Sequence, residues 1–168
     1  QKTGFFIDQR PNRLQVQQLA DNADVLNLFA YSSAFSAHAL HGGARSVLDV
    51  DISQRAPYAA RQNIQNNRPH NAIHRYVVAD AFPFIDQLAT HGPRYDMVIV
   101  DPPSLVRKRD RNQVKRAMGV YTKLNRNAMR TVRDGGLLVT ASCSTPISQE
   151  DFFEVVRRAA ASARMQMR

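Results

Sequence analysis

The stretch "YDMVIVDPPS" (95–104) joins a run of β-forming apolar residues to an abrupt polar end. The run barely alternates between apolar and polar residues, which is typical of a strand buried on both faces of a sheet. Two successive prolines cannot continue a hydrogen-bonded ladder, so Asp101 is predicted to be held rigidly at the strand end. The alternative is that Asp101, Pro102 and Pro103 only terminate the strand.

Similar apolar runs alternate along the chain with helix-length stretches. Further strands are predicted at 4–8, 24–30, 46–51, 76–80 and 136–142. Helices are predicted at 10–20, 34–41, 53–67, 82–90, 112–133 and 148–163. Candidate helix ends are Ser53, as the cap of 54–67, and the glycine pairs 42–43 and 135–136. Strands that alternate with helices predict an α/β fold, a doubly wound layer around a mostly parallel sheet.

Length and composition limit the classes of protein. A chain of 168 residues with 43% apolar residues suits one domain, with 1–22 as a lead-in and 23–168 as the core sheet. One cysteine cannot form an internal disulfide, and no apolar run approaches the roughly 18 residues of a membrane span, so we expect a cytoplasmic protein. The net charge of +9 favours a polyanion such as nucleic acid, although solubility alone is an alternative. Both ends look cut, which suggests a piece of a longer protein.

Two aspartates follow predicted strands in positions that suit a nucleoside ligand. Asp51 lies 24 residues after Asn27 and can accept hydrogen bonds from both hydroxyls of a ribose. Asp80 can accept from an adenine amino group. Each could instead stabilise the start of the next helix. The turn "FAYSSAF" (29–35) contains no glycine, which disfavours a pyrophosphate and permits a ligand with adenosine but no phosphate.

The single cysteine lies in "VTASCST" (139–145), at the end of the last predicted strand. Cys143 is a candidate nucleophile facing a ligand cleft, and the alternative is a buried apolar side chain. The segment "RKRDRNQVKR" (107–116) has six basic residues and one acid, which favours phosphate contacts over a merely solvated charge run. The five histidines have no cysteine partners at metal-ligand spacing, so no metal site is predicted.

Together these motifs resemble a known family. "QKTGFFIDQR" (1–10), "VLNLFAYSSAF" (25–35), "VIVDPPS" (98–104) and "GGLLVTASCS" (135–144) are similar to class I S-adenosylmethionine-dependent methyltransferases of large-subunit ribosomal RNA. The bacterial 23S ribosomal RNA cytosine-C5 group is the most similar. The resemblance implies a Rossmann-like fold, S-adenosylmethionine as cofactor and ribosomal RNA as partner. It does not indicate an oligomeric state.

The resemblance also assigns roles to individual residues. Cys143 and Asp101 would be catalytic, with Cys143 adding to C6 of the target cytosine. The cofactor ligands would be Asn27, Phe29, Tyr31, Ser33, Phe35, Asp51, Asp80 and Asp101. The target RNA would contact Pro102, Pro103, Ser104, Arg107, Lys108 and Arg109.

The chain departs from the family pattern in two ways. Ser33 stands where the family has a glycine, which puts the strength of cofactor binding in question. Ser104 stands where some related enzymes have a second cysteine that releases the product. We expect the N-terminal PUA RNA-binding domain and the closing C-terminal β-hairpin of the family to lie outside this sequence, consistent with its cut ends. Two alternatives therefore stay open: methylation of a base nitrogen, such as guanine N7, with Cys143 structural, and a non-catalytic RNA-binding module.

Overall fold

The computed structural model of the chain describes residues 6–67 and 73–166, and a short 3-10 helix at Ile7–Gln9 precedes the main elements. The helices are α1 (Arg10–Leu19), α2 (Ala34–His41), α3 (Ala56–Asn67), α4 (Ala81–His91), α5 (Arg111–Arg130) and α6 (Gln149–Ala163). The strands are β1 (Asp24–Leu28), β2 (Ser46–Asp51), β3 (Ile73–Val78), β4 (Tyr95–Val100) and β5 (Val132–Thr140). This alternation confirms the predicted α/β fold class.

The strands of the described residues form one parallel sheet in the order β3-β2-β1-β4-β5. The chain builds outward from β1 to β3 on one side and then returns to add β4 and β5 on the other. Strand order therefore reverses between β1 and β4, the place where ligands bind in doubly wound sheets. The carboxyl ends of all these strands lie along one edge, because the strands run in the same direction.

Helices cover both faces of the sheet. Val25 and Met97 pack with α1, α2 and α3 on one face, while Leu26 and Val98 pack with α4 and α5 on the other. Neighbouring residues of β1 and β4 are thus buried on opposite faces. This explains why their sequences lack the alternation of apolar and polar residues that marks a half-exposed strand.

The strand predicted at 4–8 is wrong for the residues that are described. Phe6 lies outside any regular element, and Ile7 begins the 3-10 helix that runs into α1. Ile7 is 79% exposed, so no sheet buries it. Pro11 in the first turn of α1 favours helix initiation here. Residues 4 and 5 of this prediction lie outside the described residues.

The capping residues predict one helix end correctly and misplace two others. Gly42 ends α2, and its N–H donates to His38 O. Helix α3 begins at Ala56, whose N–H donates to Ser53 O at 3.3 Å, and so it starts later than predicted. Gly135 and Gly136 do not end α5, because α5 stops at Arg130 and both glycines lie inside β5.

Gly136 allows β5 to approach β4 closely. A Cβ atom at this position would lie 2.7 Å from Asp96 O, a distance that backbone atoms cannot accommodate. The strand pairing also shifts register here, between the pairs of Tyr95 and of Met97. Gly135 has a φ of 78°, in the left-handed region. The glycine pair therefore forms an irregularity within the strand rather than a helix terminus.

Four charged side chains tie the strands together at their amino ends, opposite the ligand edge. Arg45 lies 2.7 Å from Asp24 and 3.1 Å from Asp96, and Arg133 lies 3.1 and 2.6 Å from the same carboxylates. The hydrogen bond from Arg45 lowers the pKa of Asp24 to about 2. Burial acts to raise the pKa of Asp96, but hydrogen bonds from the Asp24 N–H and Arg133 outweigh it and keep that pKa below its usual value.

Candidate functional site

The loop that follows β1 (residues 29–33, the β1 loop) has a strained backbone. Phe29, Tyr31 and Ser33 have φ values of 60°, 45° and 63°. Residues other than glycine rarely adopt this left-handed region of backbone conformation, because it costs roughly 1–2 kcal/mol for each residue. Such conformations persist only where surrounding contacts hold them, and they concentrate at ligand sites.

Three neighbouring side chains hold the β1 loop from outside. Asp51 Oδ2 accepts the Tyr31 N–H at 3.0 Å, and Tyr76 OH donates to Tyr31 O at 2.9 Å. Asn63 Nδ2 donates to Ser32 O at 2.7 Å. Burial, together with the charges of Asp51 and Asp49, raises the pKa of Tyr76 well above its usual value, so its hydroxyl remains a donor.

A buried polar cluster supports the same loop from below. Asp49 is fully buried and accepts hydrogen bonds from the hydroxyls of Ser33 and Ser36. It also contacts His74 Nε2 at 2.7 Å and Asn27 Nδ2 at 3.1 Å. The side chains of Asn27 and Ser33 thus face the interior. Of the predicted cofactor ligands, we expect these two to position the loop rather than to contact a ligand with their side chains.

Asp51 occupies the position predicted for a ribose ligand, at the carboxyl end of β2. Oδ1 accepts the Ser53 N–H at 2.8 Å and Oδ2 accepts the Tyr31 N–H, so each oxygen uses one backbone donor. An ionised carboxylate has about four acceptor sites, which leaves capacity for a diol. The residues at this edge therefore fit a cofactor that carries an adenosine.

The remaining predicted cofactor residues differ in their placement. Phe35 is buried in the core between α2 and the sheet, where it supports the loop. Phe29 packs edge-to-face against Phe82, with ring centroids 5.3 Å apart. Asp80 is exposed and caps α4, because its Oδ1 accepts the Phe82 N–H at 2.9 Å. Asp80 therefore caps the next helix, which is the alternative interpretation given for it in the sequence analysis.

The ends of β4 and β5 bring Asp101 and Cys143 into the same region. Cys143 is exposed, and its Sγ lies 3.5 Å from Pro102 O. Exposure excludes the alternative that Cys143 is a buried apolar side chain. Pro102 is buried, Pro103 is exposed, and Asp101 is half-buried at the strand end. The predicted catalytic pair therefore lies at the edge where ligands bind.

The basic residues after this strand end project into solvent. Arg107, Lys108 and Arg109 are all exposed, directly after the buried Val106. Asp110, the acid among them, caps α5 by accepting the Gln113 N–H at 2.8 Å. Positive charge thus accumulates beside the Cys143 region, as phosphate contacts require.

Two histidines, His38 and His74, have hydrogen-bond partners within the protein. His74 contacts Asp49, and His38 Nδ1 lies 3.0 Å from Gln17 Oε1. Within residues 6–67 and 73–166, no three His, Cys, Asp or Glu side chains are grouped so that they could hold a metal ion. In the same part of the chain, no helix combines the length and apolarity needed to cross a bilayer.

Sequence reasoning missed the residues that hold the site from behind. These are Asp49, His74, Tyr76 and Asn63, whose contacts with the β1 loop and its polar cluster are given above. One signal was present, since Asp49 interrupts the otherwise apolar β2, and a charge in a central strand needs buried partners. Asn63 lies in an amphipathic helix, and His74 and Tyr76 lie in a strand, so none of the three differs clearly from its neighbours in the sequence.

The family and the relatives that the chain matches are all described as methyltransferases. The sequence profile of a family described as S-adenosylmethionine-dependent methyltransferase matches residues 1–168. The chain is 42% identical over 159 residues to the ribosomal RNA large subunit methyltransferase of Deinococcus radiodurans, covering 95% of this chain and 38% of that protein. It is 36% identical over 162 residues to ribosomal RNA large subunit methyltransferase I of Salmonella paratyphi B, covering 96% and 40%.

Solved structures agree with these relatives. A protein of Streptococcus mutans described as a SAM-dependent methyltransferase has a TM-score of 0.79 and 29% identity, covering 95% of this chain and 41% of that one. A methyltransferase structure complexed with SAH has a TM-score of 0.80 at the same identity and coverage. The chain spans about two-fifths of the length of the curated relatives it matches. With the family profile matched along its whole length, the chain belongs to the S-adenosylmethionine-dependent methyltransferases.

Proposed function

We propose that the protein methylates C5 of a cytosine in large-subunit ribosomal RNA, through a transient bond between Cys143 and C6 of the base. The observation that carries this proposal is the exposed thiol of Cys143 beside the Asp101-Pro102 strand end. The two named relatives, both large-subunit ribosomal RNA methyltransferases, support the choice of RNA.

We propose that the cofactor binds at the carboxyl ends of β1, β2 and β3. Asp51 accepts from the ribose hydroxyls, the β1 loop backbone lies against the methionine part, and the exposed Asp80 carboxylate accepts from the adenine amino group. When bound, S-adenosylmethionine supplies a methyl group made electrophilic by the sulfonium. The β1 loop has no glycine-rich phosphate cradle, in keeping with a cofactor that lacks phosphate.

Cys143 is proposed to activate the target carbon of the cytosine. Carbon 5 of cytosine is a weak nucleophile, but addition of the Cys143 thiolate to C6 converts the ring into an enamine whose C5 is nucleophilic. C5 would then form the new carbon–carbon bond to the methyl group as the bond between that methyl group and the sulfonium sulfur breaks, leaving S-adenosylhomocysteine. Loss of the C5 proton to a base restores the C5–C6 double bond and expels the thiolate, so Cys143 is regenerated.

Asp101 is proposed to recognise the base during this sequence. Its carboxylate accepts from the cytosine amino group, and from N3 once the adduct is protonated there, which stabilises the charge that develops on the ring. The two prolines that follow limit backbone motion at this position. A carboxylate held in place needs little reorganisation when the adduct forms.

The RNA must present its target base outside a stack. We propose that Arg107, Lys108 and Arg109 hold the RNA phosphates while an unpaired or flipped cytosine reaches the strand end, lined by Pro103 and Ser104. Phosphate contacts position the RNA without reading its sequence. Recognition of the base itself falls to Asp101.

The test uses ribosomal RNA fragments that contain 5-fluorocytidine. Fluorine at C5 cannot leave as a proton does, so a C6 adduct is trapped and shifts the protein on a denaturing gel. We expect the full-length protein and its Thr145→Ala variant, altered at an exposed neighbour, to form the adduct, and Cys143→Ala to form none. Methylation by Cys143→Ala at the wild-type rate would instead establish base-nitrogen chemistry. Calorimetry with S-adenosylhomocysteine decides the remaining alternative, because absence of heat would indicate a non-catalytic RNA-binding module.

A further inference from the structure

The segment Ser142-Cys143-Ser144 alternates between inward and outward side chains. Ser144 is 2% exposed, Ser142 is half-buried, and Cys143 between them is exposed. The Ser144 N–H also donates to Ser142 Oγ at 3.3 Å, so the two serines on either side of Cys143 are bonded to each other, and their positions restrict the direction of the thiol. The hydroxyl partners of the two serines therefore decide where Cys143 lies.

Both serines bond to one buried residue of α5. Ser142 Oγ donates to Tyr121 OH at 3.0 Å, and Tyr121 OH lies 2.9 Å from Ser144 Oγ. Tyr121 is fully buried, and its ring packs edge-to-face against Phe152 with centroids 5.4 Å apart. Its hydroxyl is thus a fixed point that α5 and α6 hold in place.

The same chain of hydroxyls reaches the end of β4. Ser144 Oγ accepts the Leu105 N–H at 3.0 Å and lies 3.4 Å from Ser104 Oγ. Ser104 Oγ in turn donates to Val106 O at 2.8 Å. If each hydroxyl donates once, the chain runs in one direction from Ser142 through Tyr121, Ser144 and Ser104 to a backbone carbonyl. Hydrogen bonds in such a chain polarise and strengthen one another.

We infer that Tyr121 is a positioning residue, whose hydroxyl sets the distance and direction between the Cys143 thiol and the Asp101-Pro102 strand end. This inference rests on the proposed function of Cys143. Tyr121 does not touch the substrate. It acts through Ser142 and Ser144, and the Ser104 contact extends the same control to the segment that lines the target base. Ser104, which stands where some related enzymes have a second cysteine, thereby gains a role of its own.

The test compares Tyr121→Phe with Tyr58→Phe in the full-length protein. The first variant removes the buried hydroxyl and keeps the packed ring, and the second removes a hydroxyl from a side chain that is 76% exposed on α3. For Tyr121→Phe we expect faster amide hydrogen exchange at residues 143–145 and an altered rate of Cys143 alkylation by iodoacetamide, followed by peptide mass spectrometry. We expect kcat for methyl transfer to fall on the order of 10-fold to 100-fold, since small misplacements of reacting groups cost this much, with KM for S-adenosylmethionine unchanged.

Variants at Ser142 keep the test decisive if Tyr121→Phe does not fold. Ser142→Ala should reproduce the loss of kcat, and Ser142→Thr, which keeps the hydroxyl, should restore most of it. Wild-type exchange and alkylation in Tyr121→Phe would overturn the inference, as would an unchanged kcat. If the wild-type protein forms no adduct with 5-fluorocytidine RNA, the proposed C5 chemistry fails, and exchange and alkylation alone then decide whether Tyr121 holds the Cys143 segment.

Discussion

The Ser33 hydroxyl donates a hydrogen bond to the fully buried carboxylate of Asp49 while the Ser33 backbone is in the left-handed region, with a φ of 63°. A glycine here would relieve the backbone but would leave Asp49 with one donor fewer. Serine therefore has a structural function at a position that the resemblance assigns to glycine. The surrounding contacts hold the β1 loop in its conformation with serine present, so Ser33 by itself does not indicate a non-catalytic module.

Substitutions at Ser33 separate the backbone effect from the hydrogen bond. Ser33→Ala keeps the unfavourable φ and removes the donor, so we expect a loss of about 1–3 kcal/mol in the free energy of unfolding. Ser33→Gly loses the donor but gains backbone freedom, so its loss should be smaller. Urea titration measures both, and equal losses for the two variants would mean that the left-handed backbone costs nothing here.

Removal of the Tyr76 hydroxyl should weaken cofactor binding more than stability. Tyr76→Phe removes one hydrogen bond to Tyr31 O, which contributes about 0.5–1.5 kcal/mol to stability. The β1 loop then has one support fewer in its strained conformation, so we expect weaker binding of S-adenosylhomocysteine in calorimetry. The control is Tyr58→Phe, which should bind as the wild type does. Unchanged affinity in Tyr76→Phe would show that Asp51 and Asn63 suffice to hold the loop.

The charged cluster at the amino ends of the strands predicts sensitivity to acid. The folded pKa of Asp24 is about 2, below the usual 3.8, so its contribution to stability is fully present above about pH 4. That contribution is lost as the pH falls from about 4 towards 2, and Asp96 contributes in the same direction. Thermal melts of Arg133→Gln across this range should show a weaker pH dependence than the wild type. An identical pH dependence would mean that Arg45 alone accounts for the lowered pKa values.

The basic segment predicts a change in the salt dependence of RNA binding. Lys108→Ala combined with Arg109→Ala should weaken binding about equally for all RNA sequences, because phosphate contacts carry no sequence information. For single-stranded RNA, loss of two contacts should reduce the slope of log K against log salt by about 1.4. The charge-matched control is Arg157→Ala with Arg158→Ala, since both arginines pair with Glu154 on α6. A reduced slope in the control variant alone would place the RNA on α6 instead.

Sequence patterns predicted the sheet well because burial on both faces leaves a local signature. The runs that form β1, β2 and β4 are mostly apolar, interrupted by polar residues such as the buried Asn27 and Asp49, and the polar residues that follow them lie at one edge because the strands are parallel. Parallel pairing alone is therefore enough to predict that Asp51, Asp101 and Cys143 lie at that edge. The same reasoning failed for residues 6–8 of the strand predicted at 4–8, because Ile7–Gln9 form a 3-10 helix that leads into α1.

The supporting contacts could not be predicted because their partners are distant in the sequence. Asp49 meets His74 across 25 residues, and Ser144 meets Ser104 across 40. Neither pair follows a local spacing rule, since only the packing of helices on the sheet brings the partners together. Gly135 and Gly136 were misassigned for a related reason: glycine marks both helix ends and strand irregularities, and the pairing of β5 with β4 decides between them.

The four-membered charged cluster at the amino ends has an evolutionary consequence. It fastens β1, β4 and β5 to the start of β2 at the end of the sheet farthest from Cys143. Substitutions in the loops at the opposite end leave these four ion pairs intact, so the strand pairing at the amino ends persists when those loops change. A scaffold anchored at one end in this way can acquire new target preferences while its architecture stays intact.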